Sequence, residues 1–437
     1  MLKDKIKSSG RFITGIDVGT TKICVTVGEV LRDGISILSV NSTPSTGLKK
    51  GVVIDIDSTV NSIRKALNDA EKLTGRLINE AFVGIAGSHI KSFVSSGSAV
   101  IKGKEVTPED VERALEAAGA VNVPLDREII QIIPTDFILD GQSGIKDPVG
   151  MAGARLNVNT FIITGTVTSI QNLLKCCQGA GLEVKDIILQ PLASAEAALT
   201  QQERESGIVL IDIGGGTTDI AVYRNNWLRH TAIYGIGGYH FTNDLSVGMK
   251  LSFQEAERIK MNIGHLLPAS PNENDEVEII TIDGQLRKIP QKYIAEILLP
   301  RSEELLELIN KEIMVVNGEG ISVCGAVLTG GASLLSDFDK LAESILSMPV
   351  RIGYPDLISK NPIAAGMYSG SAGHPGVLKN LSADFNHPMY TTGIGLVIYG
   401  AETTFPPGIF FIDKDSSSGI INRMTGWFKN ILAKMGG

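Results

Sequence analysis

The chain has 437 residues, 43% of them hydrophobic, which is more than one core of ordinary size organises, so two or more domains are expected. Lys and Arg number 40 against 48 Asp and Glu, and the net charge of −8 offers no basic field for phosphate backbones, so nucleic acid is not expected as a partner. Cys24, Cys176, Cys177 and Cys324 form no CxxC pair and sit in apolar or helical runs, which predicts buried thiols in a reducing compartment; no run reaches the roughly 18 apolar residues of a membrane span, and the basic start MLKDKIKSSGRF lacks the apolar stretch of a signal peptide.

Residues 12–40 alternate and carry β-branched side chains (Ile13, Ile16, Val18, Ile23, Val25, Val27, Ile35, Ile37), which predicts strands joined by tight turns. Ser58 is expected to cap a helix whose residues Val60, Ile63, Leu67 and Ala70 share one face. After a strand at 81–87, strand-like runs over 88–165 surround one helix. Thr107 is its N-cap, Pro108 its first residue, and Val111, Ala114, Leu115 and Ala118 its inward face, so this stretch reads as an inserted subdomain. A strand (161–167), a helix (169–180) and a strand (183–189) follow. The second half then restarts with GIVLIDIGGGTTDIAVY (207–223). IDVG at 16–19 and IDIG at 211–214 repeat one phrase at an offset of 212 − 17 = 195 residues, which predicts two related α/β halves. The stretch 401–419 is rich in Pro, Gly and Ser and reads as a tether before a final helix.

A strand that ends in Asp-x-Gly and turns into another strand presents successive backbone N–H groups with no side chain in the way of a phosphate. Gly19, Thr20 and Thr21 supply one such turn, and Gly214, Gly215, Gly216, Thr217 and Thr218 the other, with the threonine hydroxyls as further donors. Asp17 and Asp212 suit a hydrated Mg²⁺ better than they suit phosphate. Lys22 either reaches a phosphate or points outward, and Asp219 reads as a brace for its hairpin. A third glycine turn, Gly330-Gly331-Ala332, lies between an apolar strand and an amphipathic helix and bares backbone for a flat ligand. Gln190 closes a strand before Pro191. It can orient water and cannot act as a base, so hydrolysis, if any, is expected to be slow. Gly393 and Gly395 fit a helix packed closely against another. His89, His230, His240 and His265 show no metal-like clustering.

The order IDVGTTK, LQPLASAEAAL, LIDIGGGTTDIAVY, LTGGASLL and YTTGIGLVIYG resembles the five characteristic elements of the superfamily of actin, sugar kinases and heat-shock chaperones. That resemblance implies an α/β, actin-like (ribonuclease-H-like) duplicated two-domain ATPase fold. Within it, GQSGIKDPVGMAGARL (141–156), preceded by VNVPLDREIIQIIPTDFILD (121–140), resembles the inserted subdomain of the FtsA family of bacterial cell-division proteins. AERIKMNIGH (256–265) is similar to the family's ribose and adenine segment, with Glu257 and Lys260 in the matching positions, and GGYHFTNDLSVGM (237–249) to its nucleotide-side turn.

The resemblance implies a first actin-like domain at 12–87 and 166–191, an insertion at 88–165, a second domain at 192–240 and 324–375, its small subdomain at 241–323, a return at 376–400, a linker at 401–419 and a targeting helix at 420–437. It also implies ATP and Mg²⁺ as ligands, self-assembly into filaments, and a role in anchoring the FtsZ ring to the cytoplasmic face of the cell membrane at the division site. The C-terminal peptide of FtsZ is the expected partner, with Arg301 on the helix of 294–313 either pairing with that acidic peptide or only with Glu304; the insertion is expected to meet other division proteins. In the last residues, Ile421, Met424, Trp427, Phe428, Ile431 and Leu432 recur at helical spacing above a border of Arg423, Lys429 and Lys434, which suits the surface of an anionic bilayer. A small-molecule kinase on the same core would need an aspartate base at a substrate hydroxyl, and no sugar-kinase signature is present; a peptide-binding chaperone would need a long β-rich domain after Gly400.

Overall fold

The computed structural model describes residues 11–31, 34–266, 275–355, 378–379 and 381–404. Strands β1 (Arg11–Val18), β2 (Lys22–Leu31) and β3 (Gly34–Pro44) form an antiparallel meander, followed by a two-residue hairpin of β4 (Leu48–Lys49) and β5 (Val52–Val53). Helix α1 (Ile56–Thr74) begins earlier than its sequence suggests. Asp55, not Ser58, is the N-cap, because its extended backbone lets the carboxylate accept from Ser58 N at 3.1 Å. Then β6 (Glu80–Ile85) pairs parallel with β1.

The chain next enters a separate four-stranded sheet made of β7 (Lys91–Val100), β8 (Arg127–Leu139), β9 (Gln142–Ile145) and β10 (Arg155–Thr166), covered by α2 (Pro108–Gly119). Thr107 and Asp110 form the reciprocal capping box of α2, as the Thr-Pro pair leads one to expect. This unit has its own core of Ala114, Leu115, Ala118, Phe137, Leu156 and Val158. Its entry and exit strands are neighbours, Lys91 pairing with Thr164. Arg127 staples them, donating from Nη2 to His89 O (2.9 Å) and Thr164 O (2.8 Å). Helix α3 (Val167–Gly179) and β11 (Glu183–Leu189), parallel to β6, complete the first half.

After α4 (Gln190–Ala198) and α5 (Gln201–Ser206), the second half rebuilds the same sheet from β12 (Ile208–Ile213), β13 (Thr218–Arg224) and β14 (Trp227–Tyr234). The antiparallel triplet is again flanked by two parallel strands, β17 (Ala326–Thr329) and β18 (Val350–Ile352). The two sheets run β3-β2-β1-β6-β11 and β14-β13-β12-β17-β18, one order written twice, with β19 (Leu378–Lys379) added beside β3. Between β14 and β17 lie α6 (Gly238–Met249), α7 (Phe253–Ile263), the hairpin β15 (Glu276–Ile280) and β16 (Leu286–Pro290), and α8 (Lys292–Gly318); α9 (Phe338–Leu346) sits between β17 and β18.

Helix α10 (Thr391–Thr404) continues into the stretch expected to be a tether, where Ala401 is buried. It crosses α4 at close range and rests on β1 and β2, while α4 reaches β12 and β13, so this helix pair joins the halves. Cys24, Cys176 and Cys177 are buried as expected. Cys324 is exposed instead, because it precedes β17 in an irregular stretch, its Sγ 3.2 Å from Ser206 O. The final helix expected at 420–437, with Ile421, Met424, Trp427, Phe428, Ile431 and Leu432, lies outside the described residues.

Candidate functional site

Both halves carry the same turn at the same place. Gly19 N donates to Lys22 O at 3.0 Å after β1, and Gly214 N donates to Thr217 O at 2.9 Å after β12. The two turns face each other across the cleft. A Cβ built on Gly215 would stand 2.2 Å from Thr21 Oγ1, and one on Gly216 would stand 2.5 Å from Thr20 Oγ1, so only glycine lets the turns approach.

Asp17 and Asp212 are the penultimate residues of their strands, 7% and 6% exposed. Gln190 at the start of α4 donates from Nε2 to Asp17 Oδ1 at 2.8 Å. Asp212 Oδ2 accepts from Ser194 Oγ (2.6 Å) and Thr392 Oγ1 (3.1 Å), so both inter-half helices converge on it. Neither Ser194 nor Thr392 stands out as a site residue in the sequence. Asp219 reads there as a brace, and the structure gives it more than that. It stands opposite Asp212 in the β12–β13 register and is 3% exposed; Oδ2 accepts from Thr217 Oγ1 at 3.1 Å, while Oδ1 is buried with no hydrogen-bond partner among the described residues. A third aspartate following the glycine turn was the only signal available.

Lys22 points inward. Its Nζ donates to Met389 O and lies 5.2 Å from the centre of the Tyr390 ring. Thr218, by contrast, opens β13 fully buried and spends its hydroxyl on Ile236 O at 2.8 Å. Thr20 Oγ1 accepts from Gly51 N at 3.0 Å.

Beside Asp212, Gly330 has φ +83°, and a Cβ there would lie 2.4 Å from Asp212 Oδ1. Gly331 adjoins Met389, and Ala332 adjoins Gly238, the first residue of α6. Lys260 Nζ donates to Glu257 Oε2 (2.8 Å), Thr242 Oγ1 (2.9 Å) and Gly238 O (3.2 Å). Glu257, Lys260, Gly238 and Ala332 thus gather into one corner. The N-terminus of α6 docks on the second turn, Gly238 N donating to Gly214 O (2.9 Å) and Tyr239 N to Gly215 O (2.7 Å).

Burial sets the charge state of this cleft. The Asp17 carboxyl is pushed up to about 6, first by burial, with Lys22 drawing it down and Asp212 adding to the rise. Asp212 is raised by burial against its hydroxyl donors and Lys22. Asp219 is raised well above the usual range by burial and then by Asp212. Because the folded state holds Asp17's proton more tightly than the unfolded chain, its contribution to stability is full below about pH 4 and is lost as pH rises through about 6. Asp17→Asn is therefore expected to raise the stability of the ligand-free protein at neutral pH by about 3 kcal/mol and to flatten that slope between pH 4 and 6. Thermal melts across that range check it, and an unchanged slope would refute the assignment.

Arg301, on α8, is engaged within its own subdomain. Nε donates to Asp244 Oδ2 at 2.8 Å, Nη2 to Asp244 Oδ1 at 3.3 Å, and Nη1 to Glu304. Asp244 had been overlooked because it is 57 residues away in sequence. His230 pairs with Glu312 at 2.9 Å, and His240 Nδ1 accepts from Gly237 N at 3.2 Å.

Two copies of one five-strand order, each opening on an Asp-Gly turn and joined by a helix pair, define the actin-like fold. The chain belongs to the cell division protein FtsA family. The family model for cell division protein FtsA matches residues 209–395, and the model for the SHS2 domain inserted in FtsA matches 87–164. FtsA of Pseudomonas aeruginosa is 40% identical over 396 residues, covering 90% of each chain, and FtsA of Neisseria meningitidis serogroup B is 36% identical over 427 residues, covering 96% of this chain and 98% of its own. FtsA of Bacillus subtilis is 38% identical over 394 residues, covering 89% and 83%. In fold, the chain is similar to a solved PilM–PilN type IV pilus biogenesis complex (TM-score 0.63, 16% identity, 89% of this chain and 98% of that one) and to an ethanolamine utilization protein EutJ from Carboxydothermus hydrogenoformans (TM-score 0.50, 17% identity, 89% and 90%).

Proposed function

We propose that this FtsA-family member binds ATP with Mg²⁺ between its halves, assembles into filaments in that state, and tethers the FtsZ ring to the cytoplasmic face of the cell membrane at the division site. The observation that carries the reading is the pair of matching turns, Gly19–Lys22 and Gly214–Thr217, facing each other where only glycine fits. Two glycine turns that bare their backbone to one narrow space, with Lys22 nearby, suit an anion cradle. The corner of Glu257, Lys260 and Ala332 suits the ribose and base, and Gly330 and Gly331 leave backbone bare alongside.

Three buried carboxylates against one lysine leave negative charge uncompensated, and Asp219 Oδ1 lacks a donor. A hydrated divalent cation fits that need. Among the described residues no three His, Cys, Asp or Glu side chains close on a single point, so Asp17 and Asp212 would hold it through its water. The ion, when bound, neutralises phosphate charge; the chain's own residues orient and exclude water. Gln190, held by Asp17, directs an amide and carries no base, which supports slow turnover.

Among the described residues no helix is long and apolar enough to cross a membrane; attachment is assigned to the tail of 420–437 on its sequence, apolar residues at helical spacing above a basic border. One such helix binds weakly, and a filament multiplies it. For the FtsZ peptide, α8 offers Arg301, whose link to the exposed side of Glu304 is the one a peptide carboxylate would replace at least cost. Purified protein with ATP on anionic lipid monolayers is expected to form ordered filaments by electron microscopy. The chain lacking 420–437 is expected to keep ATP binding and lose sedimentation with anionic liposomes; pelleting equal to the full chain would remove the tail as anchor.

A further inference from the structure

Lys50 stands at the tip of the β4–β5 hairpin. Lys49 pairs with Val52, which leaves Lys50 and Gly51 as the two loop residues, with φ +50° and +76°. Positive φ at both positions is the geometry of a type I′ turn, whose first position favours Asn, Asp or Gly. A lysine there is a backbone outlier, which persists only where the surroundings hold it in place.

The hairpin is clamped in that shape. Gly51 N donates to Thr20 Oγ1 at 3.0 Å, and a Cβ on Gly51 would lie 2.5 Å from Ala86 O. Thr20 belongs to the first cradle turn and faces Gly216 of the second. Lys50 itself reaches over to the other half, its Cδ and Nζ 3.1 and 3.5 Å from where a Cβ of Gly235 would sit. Its charge also reaches His240, second to burial among the causes that lower that imidazole. Among the described residues Lys50 Nζ makes no ion pair and no hydrogen bond.

Position along the cleft gives this cation an address. Gly51, next to it in the hairpin, is bonded to Thr20 of the first turn, and Gly235, which Lys50 adjoins, stands two residues before Gly237, whose Cβ would lie 2.7 Å from Gly214 O of the second turn. Lys50 therefore lies beside the facing turns.

We infer that Lys50 is a contact for the terminal phosphate of a nucleoside triphosphate, a cation of the first half that touches the second, and that it distinguishes triphosphate from diphosphate. This rests on the reading of the cleft as an ATP site. A charge-assisted contact that only the terminal phosphate makes strengthens ATP binding and leaves ADP binding alone. It also ties triphosphate to the closed arrangement of the halves, because the lysine's backbone and its phosphate partner lie on opposite sides of the cleft.

Calorimetry with Mg·ADP and a non-hydrolysable Mg·ATP analogue, on the unaltered protein, Lys50→Asn and Lys50→Arg, tests this. Asparagine relieves the turn, so the thermal midpoint of Lys50→Asn is expected to equal or exceed that of the unaltered protein. Its affinity for ADP is expected to stay within about twofold, while affinity for the ATP analogue falls about tenfold. Lys50→Arg keeps the charge and is expected to retain most of the ATP preference. A Lys50→Asn variant with the same ATP-to-ADP preference as the unaltered protein overturns the inference and spares the ATP site. Unaltered protein that binds neither nucleotide overturns both.

Discussion

Gly395→Val is expected to destabilise the protein by at least about 3 kcal/mol, the largest effect of any single substitution considered for the fold. A Cβ at this position would stand 1.7 Å from Ala193 O and 2.4 Å from Ala193 C, both backbone atoms of α4. Neither helix has room to retreat. On its other side α10 meets β1 at Gly15, where a Cβ would lie 2.7 Å from Leu396 Cβ and 2.9 Å from Gly393 O. Helix α4 is itself packed in, with Pro191, Leu192, Ala193, Ser194, Ala195, Ala197 and Ala198 all buried. Valine would add a β-branched side chain to a contact with no slack, and the helix pair that joins the halves would separate. Thermal unfolding by circular dichroism reads the effect, and a midpoint within about 2 °C of the parent would show that the crossing yields.

Gly216→Val is expected to weaken ATP binding by at least about 100-fold, close to 3 kcal/mol, with a smaller effect on folding. Its Cβ would lie 2.5 Å from Thr20 Oγ1 and 2.7 Å from Thr20 Cβ, so the side chain would fill the gap between the two turns and force them apart. The atoms it meets belong to the side chain of Thr20, which is only half-buried and can give way, so the fold should survive. Asp212→Ala is expected to act in the same direction by another route. It removes the carboxylate proposed to hold the cation through water and leaves Ser194 Oγ and Thr392 Oγ1 without their buried acceptor. Titration calorimetry on both variants decides the matter. An affinity within about threefold of the parent in Gly216→Val would mean that no phosphate lies between the turns.

The repeat IDVG and IDIG was legible because a turn that bares its backbone demands Asp and Gly at fixed offsets, and the duplicated sheet order follows from that repeat. The capping box at Thr107 was legible for a similar reason, since it is satisfied within three residues of chain. What escaped were contacts made by distant segments. Thr392 meets Asp212 from 180 residues away, and Asp244 meets Arg301 from 57. Ordinary serine and threonine spacings carry no mark of such partners. Lys22 could not be oriented from its own strand, because Met389, which turns it inward, lies 367 residues further on. The start of α1 was misread locally: Asp55 and Ser58 are both good caps, and only the extended backbone at Asp55 decides between them.

The four-stranded unit of residues 91–166 leaves the first sheet after β6 and returns at α3 through two strands that lie side by side, Lys91 against Thr164. Arg127 pins that stem, and the unit also leans on both halves, Phe137 meeting Trp227 edge-on with ring centres 6.5 Å apart and Gln131 Oε1 accepting from Leu189 N at 3.1 Å. For inheritance this means that the unit behaves as a graft. Adding or removing it asks that the two ends of one break be rejoined across a neighbouring pair of strands, a closure of low entropic cost, and that Trp227 and Leu189 find other cover where Phe137 and Gln131 now meet them.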